Sequence, residues 1–152
     1  MGRSRKGQSG YFYVAGLDLA EEMDRLRALP VFAGGELAVR RPQLKVRRAS
    51  RRPNRVGFAI PSQWRLSVTE YPGIRRGDAQ ETLLHELVHL HVGEGTGHRR
   101  WHGREFRDTL HRAMGEAYGL RIAAPRSVLH GAYAKAIERR RKLEQLRLPF
   151  AA

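Results

Sequence analysis

The feature that most constrains the fold is the apolar segment from Asp78 to Gly93. Asp78 followed by Glu81 has the pattern of a capping box with Asp at the helix N-cap, and Gly93 is a typical helix terminator. Between them, apolar residues cover much of the helix circumference (Leu83, Leu84, Leu87, Val88 and Leu90). Such a helix must be covered on most sides, so the sequence predicts a helix buried in the centre of the domain.

Two histidines and a glutamate interrupt this apolar helix, in the order His85-Glu86-Leu87-Val88-His89. Residues four apart lie one above the other on a helix, so both imidazoles can reach one zinc ion at roughly 2.0–2.1 Å. Glu86 lies beside the pair and can take a proton from a water there. The alternative is a buried helix with two ordinary core histidines. We favour the metal site, because catalytic zinc helices are buried in this way.

Two protein ligands are too few for a catalytic zinc site, so a third is expected downstream. A Gly three residues and a His six residues after His89 would complete one known pattern, but Val92 and Gly95 occupy those positions. His98 lies in a Gly-flanked loop that does not fix its side chain. A carboxylate from the next helix is a further possibility, from Glu105 or Glu116.

We favour His102 as the third ligand. It falls in the predicted first turn of the next helix, on the stripe that contains Phe106 and Leu110. That stripe must face the core and therefore the helix of His85 and His89.

The motifs His85-Glu86-x-x-His89 and His102-Gly103-x-x-Phe106, separated by a loop, resemble the SprT-like (Spartan-type) zinc metallopeptidase family. The likeness extends over residues 17–119, because family members lead into the zinc helix with a short helix and a small antiparallel sheet. The resemblance implies one zinc ion held by His85, His89 and His102, with Glu86 as general base. It also implies a protease whose substrates are proteins bound or crosslinked to DNA.

One departure from the family concerns cysteine. Many members carry a C-terminal zinc ribbon built on cysteines, whereas this sequence has no cysteine. The same absence excludes disulfides, a cysteine nucleophile and an iron–sulfur cluster. Any metal must therefore be held by histidines and carboxylates, and DNA binding must use another surface.

The rest of the sequence predicts an α+β fold, a zincin-like minimal metallopeptidase domain in which a small antiparallel sheet packs with a pair of zinc-ligand helices. A first helix is expected over 17–29, ended by Pro30. Strands are expected over 37–50 with a break at Pro42, over 56–60 and over 64–68. A hairpin turn is expected at 51–55, and a helix from His102 to Gly119.

Four segments are expected along the chain. Residues 1–16 would be a flexible basic arm, and 17–124 the SprT-like domain. Residues 125–144 would form a basic C-terminal helix, and 145–152 a flexible tail. No apolar stretch approaches the roughly 20 residues of a membrane-spanning helix, and no signal-peptide core is visible. A cytoplasmic, nucleoid-associated protein is expected.

The net charge of +14 favours a polyanionic partner, and DNA is the leading candidate. The alternative is an arginine-rich solvated surface. One basic cluster contains no acidic residue, and we expect it to contact the phosphate backbone without sequence preference: Arg40, Arg41, Lys45, Arg47, Arg48, Arg51, Arg52 and Arg55. Trp64 is expected in the core, whereas Trp101 could equally stack on unpaired bases.

The last eight residues resemble the short Gln-Leu-x-Leu peptides that bind the bacterial sliding clamp. Leu146, Leu148 and Phe150 would be the apolar anchors, and Gln145 would supply a polar contact. The alternative is the frayed end of an amphipathic helix.

We therefore predict a zinc metalloendopeptidase that acts on proteins on DNA in DNA repair. Two alternatives remain at this stage. One is a nucleic-acid-binding protein with a structural zinc site of four protein ligands, which His91 or His98 could complete. The other is a metal-dependent hydrolase with a non-peptide substrate. Tyr71, Tyr118 and the loop arginines are the candidates for oxyanion stabilisation.

Overall fold

A computed structural model of the chain describes residues 11–93 and 102–119. The predicted helix 125–144, the tail 145–152, His98 and Trp101 lie outside the described residues. No helix within the described ranges is long and apolar enough to cross a membrane.

The described residues form an α+β arrangement of small sheets and helices, as predicted. Two short 3₁₀ turns, Pro30–Phe32 and Pro61–Gln63, connect the elements. In chain order the strands and helices are β1 (Tyr13–Val14), β2 (Leu17–Asp18), α1 (Leu19–Arg27), α2 (Glu36–Val39), β3 (Gln43–Arg48), β4 (Gly57–Ile60), β5 (Arg65–Glu70), α3 (Arg76–Val92) and α4 (Arg104–Tyr118).

The folded part of the chain extends upstream of the predicted boundary at residue 17. Val14 is fully buried and belongs to β1, which pairs antiparallel with β2. Asp18 then caps α1, since its Oδ1 accepts a hydrogen bond from Ala20 N at 3.0 Å. The first helix thus begins at Leu19, two residues later than predicted, and the residues before it are part of the fold.

The three-stranded sheet is mixed, which corrects the prediction of an antiparallel sheet. Its strand order is β3-β5-β4, with β3 parallel to β5 and β4 antiparallel to β5. The predicted hairpin at Arg51–Arg55 is therefore wrong, because β3 and β4 are not neighbours. The tight connection is instead the 3₁₀ turn Pro61–Gln63 between β4 and β5. Residues 37–39, expected in a strand, belong to α2.

The two faces of this sheet differ in chemistry. The inner face carries buried apolar side chains and packs against α3 (Leu44, Val46, Ala59, Leu66 and Val68). Alternation along the strands places the other side chains on the opposite side, which we call the outer sheet face: Gln43, Lys45, Arg47, Val56, Phe58, Ile60, Arg65, Ser67 and Thr69.

Helix α3 is the buried central helix that the sequence predicts, but it begins earlier. Its N-cap is Arg75, not Asp78, and Asp78 Oδ2 accepts the Arg75 backbone N–H at 3.0 Å. Asp78 is therefore at N3, the last position of the capping box, instead of the first. Gly93 ends the helix as expected, and its φ of 90° suits glycine.

Helix α4 packs against α3 through the predicted stripe, with Phe106, Leu110, Ala113 and Met114 buried. It ends at Gly119, which has the left-handed φ of 70°. Its N-cap is Gly103, so His102 precedes the helix and does not lie in its first turn.

Candidate metal centre

Three histidines converge between α3 and the start of α4. Helix α3 presents His85 and His89 from successive turns, and the segment before α4 brings His102 to them. His102 Nε2 lies 3.2 Å from His85 Nε2 and 3.1 Å from His89 Nε2. One ligand atom from each histidine lies within 4.8 Å of the others, so the three residues could hold a metal ion.

The distances from His102 Nε2 to His85 Nε2 and His89 Nε2 are better explained by a shared metal ion than by hydrogen bonds between the rings. Nitrogen ligands of a tetrahedral zinc at about 2.0–2.1 Å lie roughly 3.3–3.4 Å apart. By contrast, a neutral imidazole has one N–H, so the hydrogen of His102 Nε2 can point at one of its two neighbours only. A cation at the common point satisfies all three nitrogens. The donor set of three imidazoles also leaves a fourth position for another ligand.

Phe106 supports all three imidazoles. Its ring centroid lies 4.9 Å from that of His85, 4.3 Å from that of His89 and 4.9 Å from that of His102. Because Phe106 is buried in the first turn of α4, it fixes the rings through packing. The side chains are thus held in the converged arrangement by the fold itself.

Glu86 lies next to the histidines with 6% of its surface exposed. Burial raises the pKa of its carboxyl to about 8, and the positive charge of Arg55 partly opposes that shift. A nearby divalent cation favours the ionised form in the same way. The protonation state of Glu86 therefore depends on two positive charges, that of Arg55 and that of a metal ion held by the histidines.

Gly57 on β4 makes room for this carboxylate. A Cβ atom at position 57 would lie 2.7 Å from Thr82 Cγ2, 2.9 Å from the Ser67 carbonyl oxygen and 3.0 Å from Glu86 Oε2. These distances are shorter than normal contacts, so only glycine lets the strand approach α3 this closely. Glu86 is thereby held between its helix and β4.

The histidines and Glu86 lie in a cleft of about 710 Å³. Gly57 and Ala59 from β4 form part of its wall, together with Arg52, Arg55 and Val56 from the segment before the strand. Strand β4 pairs with β5 on one side, and within residues 11–93 and 102–119 no strand pairs with its other edge. The cleft therefore combines a metal-binding group, a buried carboxyl and an unpaired strand edge.

The other candidates for a metal ligand lie elsewhere. Glu116 accepts hydrogen bonds from Val31 N and Arg112 Nε, both at 2.9 Å. His91 packs its ring on Phe32 with 5.1 Å between centroids, and burial lowers its pKa. Neither of these residues nor Glu105 belongs to the metal-binding group found among the described residues.

The two tyrosines considered for oxyanion stabilisation do not line the cleft. The Tyr118 hydroxyl donates to Glu22 Oε2 at 2.7 Å, and the same oxygen accepts bonds from Arg25 at 2.7 Å and Gln80 at 3.3 Å. Burial alone would raise the pKa of the Glu22 carboxyl, but these hydrogen bonds lower it below its ordinary value. Tyr71 lies under the Arg52 guanidinium at 5.6 Å.

The structure divides the predicted basic cluster into groups. Three members form ion pairs: Arg40 with Glu36, Arg41 with Asp24 and Arg48 with Glu70. Lys45 and Arg47 extend from the outer sheet face, whereas Arg52 and Arg55 line the cleft. Arg51 is exposed. Trp64 is buried as predicted, and its indole N–H donates to the Arg40 carbonyl oxygen at 3.0 Å.

Three residues of the site were missed as functional positions. The roles of Gly57 and Thr82 depend on how β4 approaches α3, which no local pattern reveals. Phe106 was identified as a core residue, but its contact with all three imidazoles was not. Its position four residues after His102 was the available signal.

Comparison with known proteins agrees with this geometry. The model of the SprT-like family matches residues 27–126, which include α3, α4 and all three histidines. No curated protein and no solved structure shows significant similarity to the chain. Because the match covers most of the sequence, the chain belongs to the SprT-like family.

Proposed function

We propose that this chain is a zinc-dependent metallopeptidase that cleaves proteins bound or crosslinked to DNA. The observation that carries the proposal is the convergence of His85, His89 and His102 beside the buried carboxyl of Glu86. Three imidazoles with an open fourth position are typical of catalytic zinc, whereas structural zinc has four protein ligands. The family match supports the same chemistry.

The three histidines would hold the zinc ion, and bound zinc supplies a Lewis acid that polarises a peptide carbonyl. Glu86 acts on protons. Its carboxylate accepts a proton from the attacking water and delivers it to the nitrogen of the leaving amine. Burial raises the pKa of the carboxyl, and a bound cation would favour the ionised form that accepts the proton. Gly57 leaves room for the carboxylate between α3 and β4.

The unpaired edge of β4 is the proposed binding site for the substrate backbone. An extended peptide can add to such an edge through main-chain hydrogen bonds that do not depend on its sequence. Gly57 and Ala59 lie in the cleft wall on this strand, opposite His85 and Glu86. A peptide paired with β4 would therefore run across the histidines.

The proposed restriction to DNA-associated substrates rests on charge. The chain has a net charge of +14, and Arg52 and Arg55 bring part of it to the cleft. A positive surface next to the cleft concentrates proteins that are already on a polyanion.

The main experiment compares the wild type with Glu86→Gln. The amide keeps the shape of the side chain but cannot accept the proton, so we expect cleavage to fall by about 10²–10⁴-fold. Zinc content is measured by elemental analysis, and cleavage of a protein crosslinked to an oligonucleotide is measured on a denaturing gel. The matched control is Glu21→Gln, an exposed carboxylate on α1. A zinc-loaded Glu86→Gln protein with full activity would refute the mechanism.

The ligand set has its own test. His102→Ala should reduce bound zinc to substoichiometric levels after dialysis, since two imidazoles remain. Glu105→Gln removes one of the alternative ligands and should leave zinc content unchanged. The reverse pattern would assign the third ligand to Glu105.

A further inference from the structure

A row of three residues crosses the outer sheet face at its centre. Lys45 on β3, Ser67 on β5 and Phe58 on β4 are register partners, so their side chains lie side by side on one face. Gln43, Arg65 and Ile60 form the next row on one side.

The row on the other side begins with Arg47 and Thr69. None of the residues in these rows is acidic, and Lys45, Arg47 and Arg65 are exposed. The face is therefore a positively charged surface with an aromatic residue on its β4 side.

Phe58 takes part in a stack of planar groups. The guanidinium carbons of Arg47 and Arg55 lie over its ring, 5.9 Å and 5.8 Å from the centroid. Guanidinium planes and aromatic rings are both surfaces on which nucleobases stack. A base can extend this stack, or replace one guanidinium group on the ring.

A cavity of about 630 Å³ opens on the same face, with Phe12, Lys45, Arg47, Phe58 and Ser67 in its lining. Ser67 is 1% exposed, and its Oγ has no hydrogen-bond partner among the residues that the structure describes. An unpaired buried hydroxyl is costly to a fold unless something else uses it. Here it is a polar group at a cavity whose lining is mostly cationic and aromatic, with Gln43, Leu44 and Leu66 as the other members.

We propose that the outer sheet face binds single-stranded nucleic acid, with bases stacked at Phe58 and phosphates held by Lys45, Arg47 and Arg65. A duplex would present only its phosphates, because its bases are stacked inside, and it would leave Phe58 and Ser67 unused. A single strand can turn a base into the cavity.

The charge excludes the rest of this chain as the occupant. Outside the described residues, 1–10 contain three basic residues and no acidic one, 94–101 two basic and one acidic, and 120–152 eight basic and two acidic. Each of these segments is therefore repelled by the face. A second copy of the chain, with a net charge of +14, is repelled as well.

This inference rests on the proposed function in one respect: it gives a DNA-associated peptidase its nucleic acid surface. The two can fail separately. The outer sheet face is on the opposite side of the sheet from α3, and Phe58, Lys45 and Arg47 do not line the metal cleft. Binding can thus be measured without peptide hydrolysis, and the Glu86→Gln protein should bind as the wild type does.

The test is fluorescence anisotropy with the full chain and a labelled oligothymidine of about 12 nucleotides, compared with a duplex of the same length. Phe58→Leu keeps an apolar side chain but removes the stacking surface. We expect it to weaken oligothymidine binding by about tenfold and duplex binding by less than twofold.

A charge variant measures the phosphate contacts. Lys45→Gln with Arg47→Gln should reduce the slope of log affinity against log salt by roughly 1.4, since each phosphate contact on a single strand contributes about 0.7. The matched control is Arg76→Gln with Arg112→Gln, which removes the same charge from exposed positions on α3 and α4. The control should leave this slope unchanged.

Three results would overturn the proposal: equal losses for single strand and duplex in Phe58→Leu, the same slope change in both charge variants, or tighter binding of polyglutamate than of oligothymidine. The last result would assign the face to an acidic protein. Circular dichroism of each variant checks that the fold is retained.

Discussion

Replacing Gly57 by alanine tests the close approach of β4 to α3. The added methyl carbon would lie 2.7 Å from Thr82 Cγ2, 2.9 Å from a backbone oxygen and 3.0 Å from Glu86 Oε2. Overpacking of this kind costs about 1–3 kcal/mol. Alanine also has less conformational freedom than glycine in the unfolded chain, which stabilises the folded protein by about 0.4–1 kcal/mol. We expect a net loss of about 1–2 kcal/mol in the free energy of unfolding, which is a fall in Tm of about 2–8 °C for a chain of 152 residues.

The effect on activity should exceed the effect on stability. The methyl group would lie 2.9 Å from the Ser67 carbonyl oxygen and 3.0 Å from Glu86 Oε2. Because the first of these is a backbone atom, the Glu86 carboxylate is the group that moves. We expect kcat to fall by at least about tenfold, because the proton acceptor loses its position. Zinc content should stay at the wild-type level, since none of the three atoms nearest to the added methyl carbon belongs to a histidine.

A second substitution separates the two effects. Thr82→Ser removes the atom that makes the closest contact but leaves the contact with Glu86. In the Gly57→Ala background it should therefore restore about half of the lost stability and little of the lost activity. Thermal unfolding and peptide cleavage are measured on all four proteins. If Gly57→Ala alone has wild-type Tm and kcat, the packing of Glu86 against β4 does not fix the carboxylate.

Two further predictions concern other parts of the chain. Tyr118→Phe removes the hydrogen bond to Glu22 and should lower the free energy of unfolding, measured in urea, by about 1.5–3 kcal/mol. Because folding lowers the pKa of Glu22, the stabilisation by its carboxylate is present above the pKa of the unfolded chain and is lost as the pH falls through the pKa of the folded protein. Glu22→Gln should therefore flatten the acid side of the curve of stability against pH, and an unchanged curve would contradict this. A peptide of residues 145–152 should bind a bacterial sliding clamp in an anisotropy titration, with Leu146→Ala or Phe150→Ala abolishing the signal; no binding at high micromolar concentration would return these residues to a packing role.

The helices could be predicted because their signals are local. The apolar circumference of α3 and the glycines at 93 and 119 all lie within the elements that they define. His102 could be chosen over Glu105 because a stripe of buried residues must face the neighbouring helix. The start of α3 was misplaced because Asp78 suits both the first and the last position of a capping box, and only the backbone distinguishes them.

The sheet could not be predicted in the same way. Alternating side chains identify a strand but carry no information on its direction relative to a neighbour, so the parallel pairing of β3 with β5 was not visible. The position of Gly57 against Glu86 follows from that topology. The basic cluster was likewise predicted to be one surface, whereas Lys45 lies on the outer sheet face and Arg52 lines the cleft.

The strand order β3-β5-β4 also dictates a sequence of events during synthesis. The first two strands of the sheet to leave the ribosome, β3 and β4, are not partners, and both wait for β5, which is central in space but last in the chain. Until Arg65–Glu70 emerge, neither strand has an edge on which to form. Helix α3 follows β5 after a short turn and covers the inner face at once. We therefore expect the wall of the cleft and the helix that bears Glu86 to form together, once β5 and α3 have both been made.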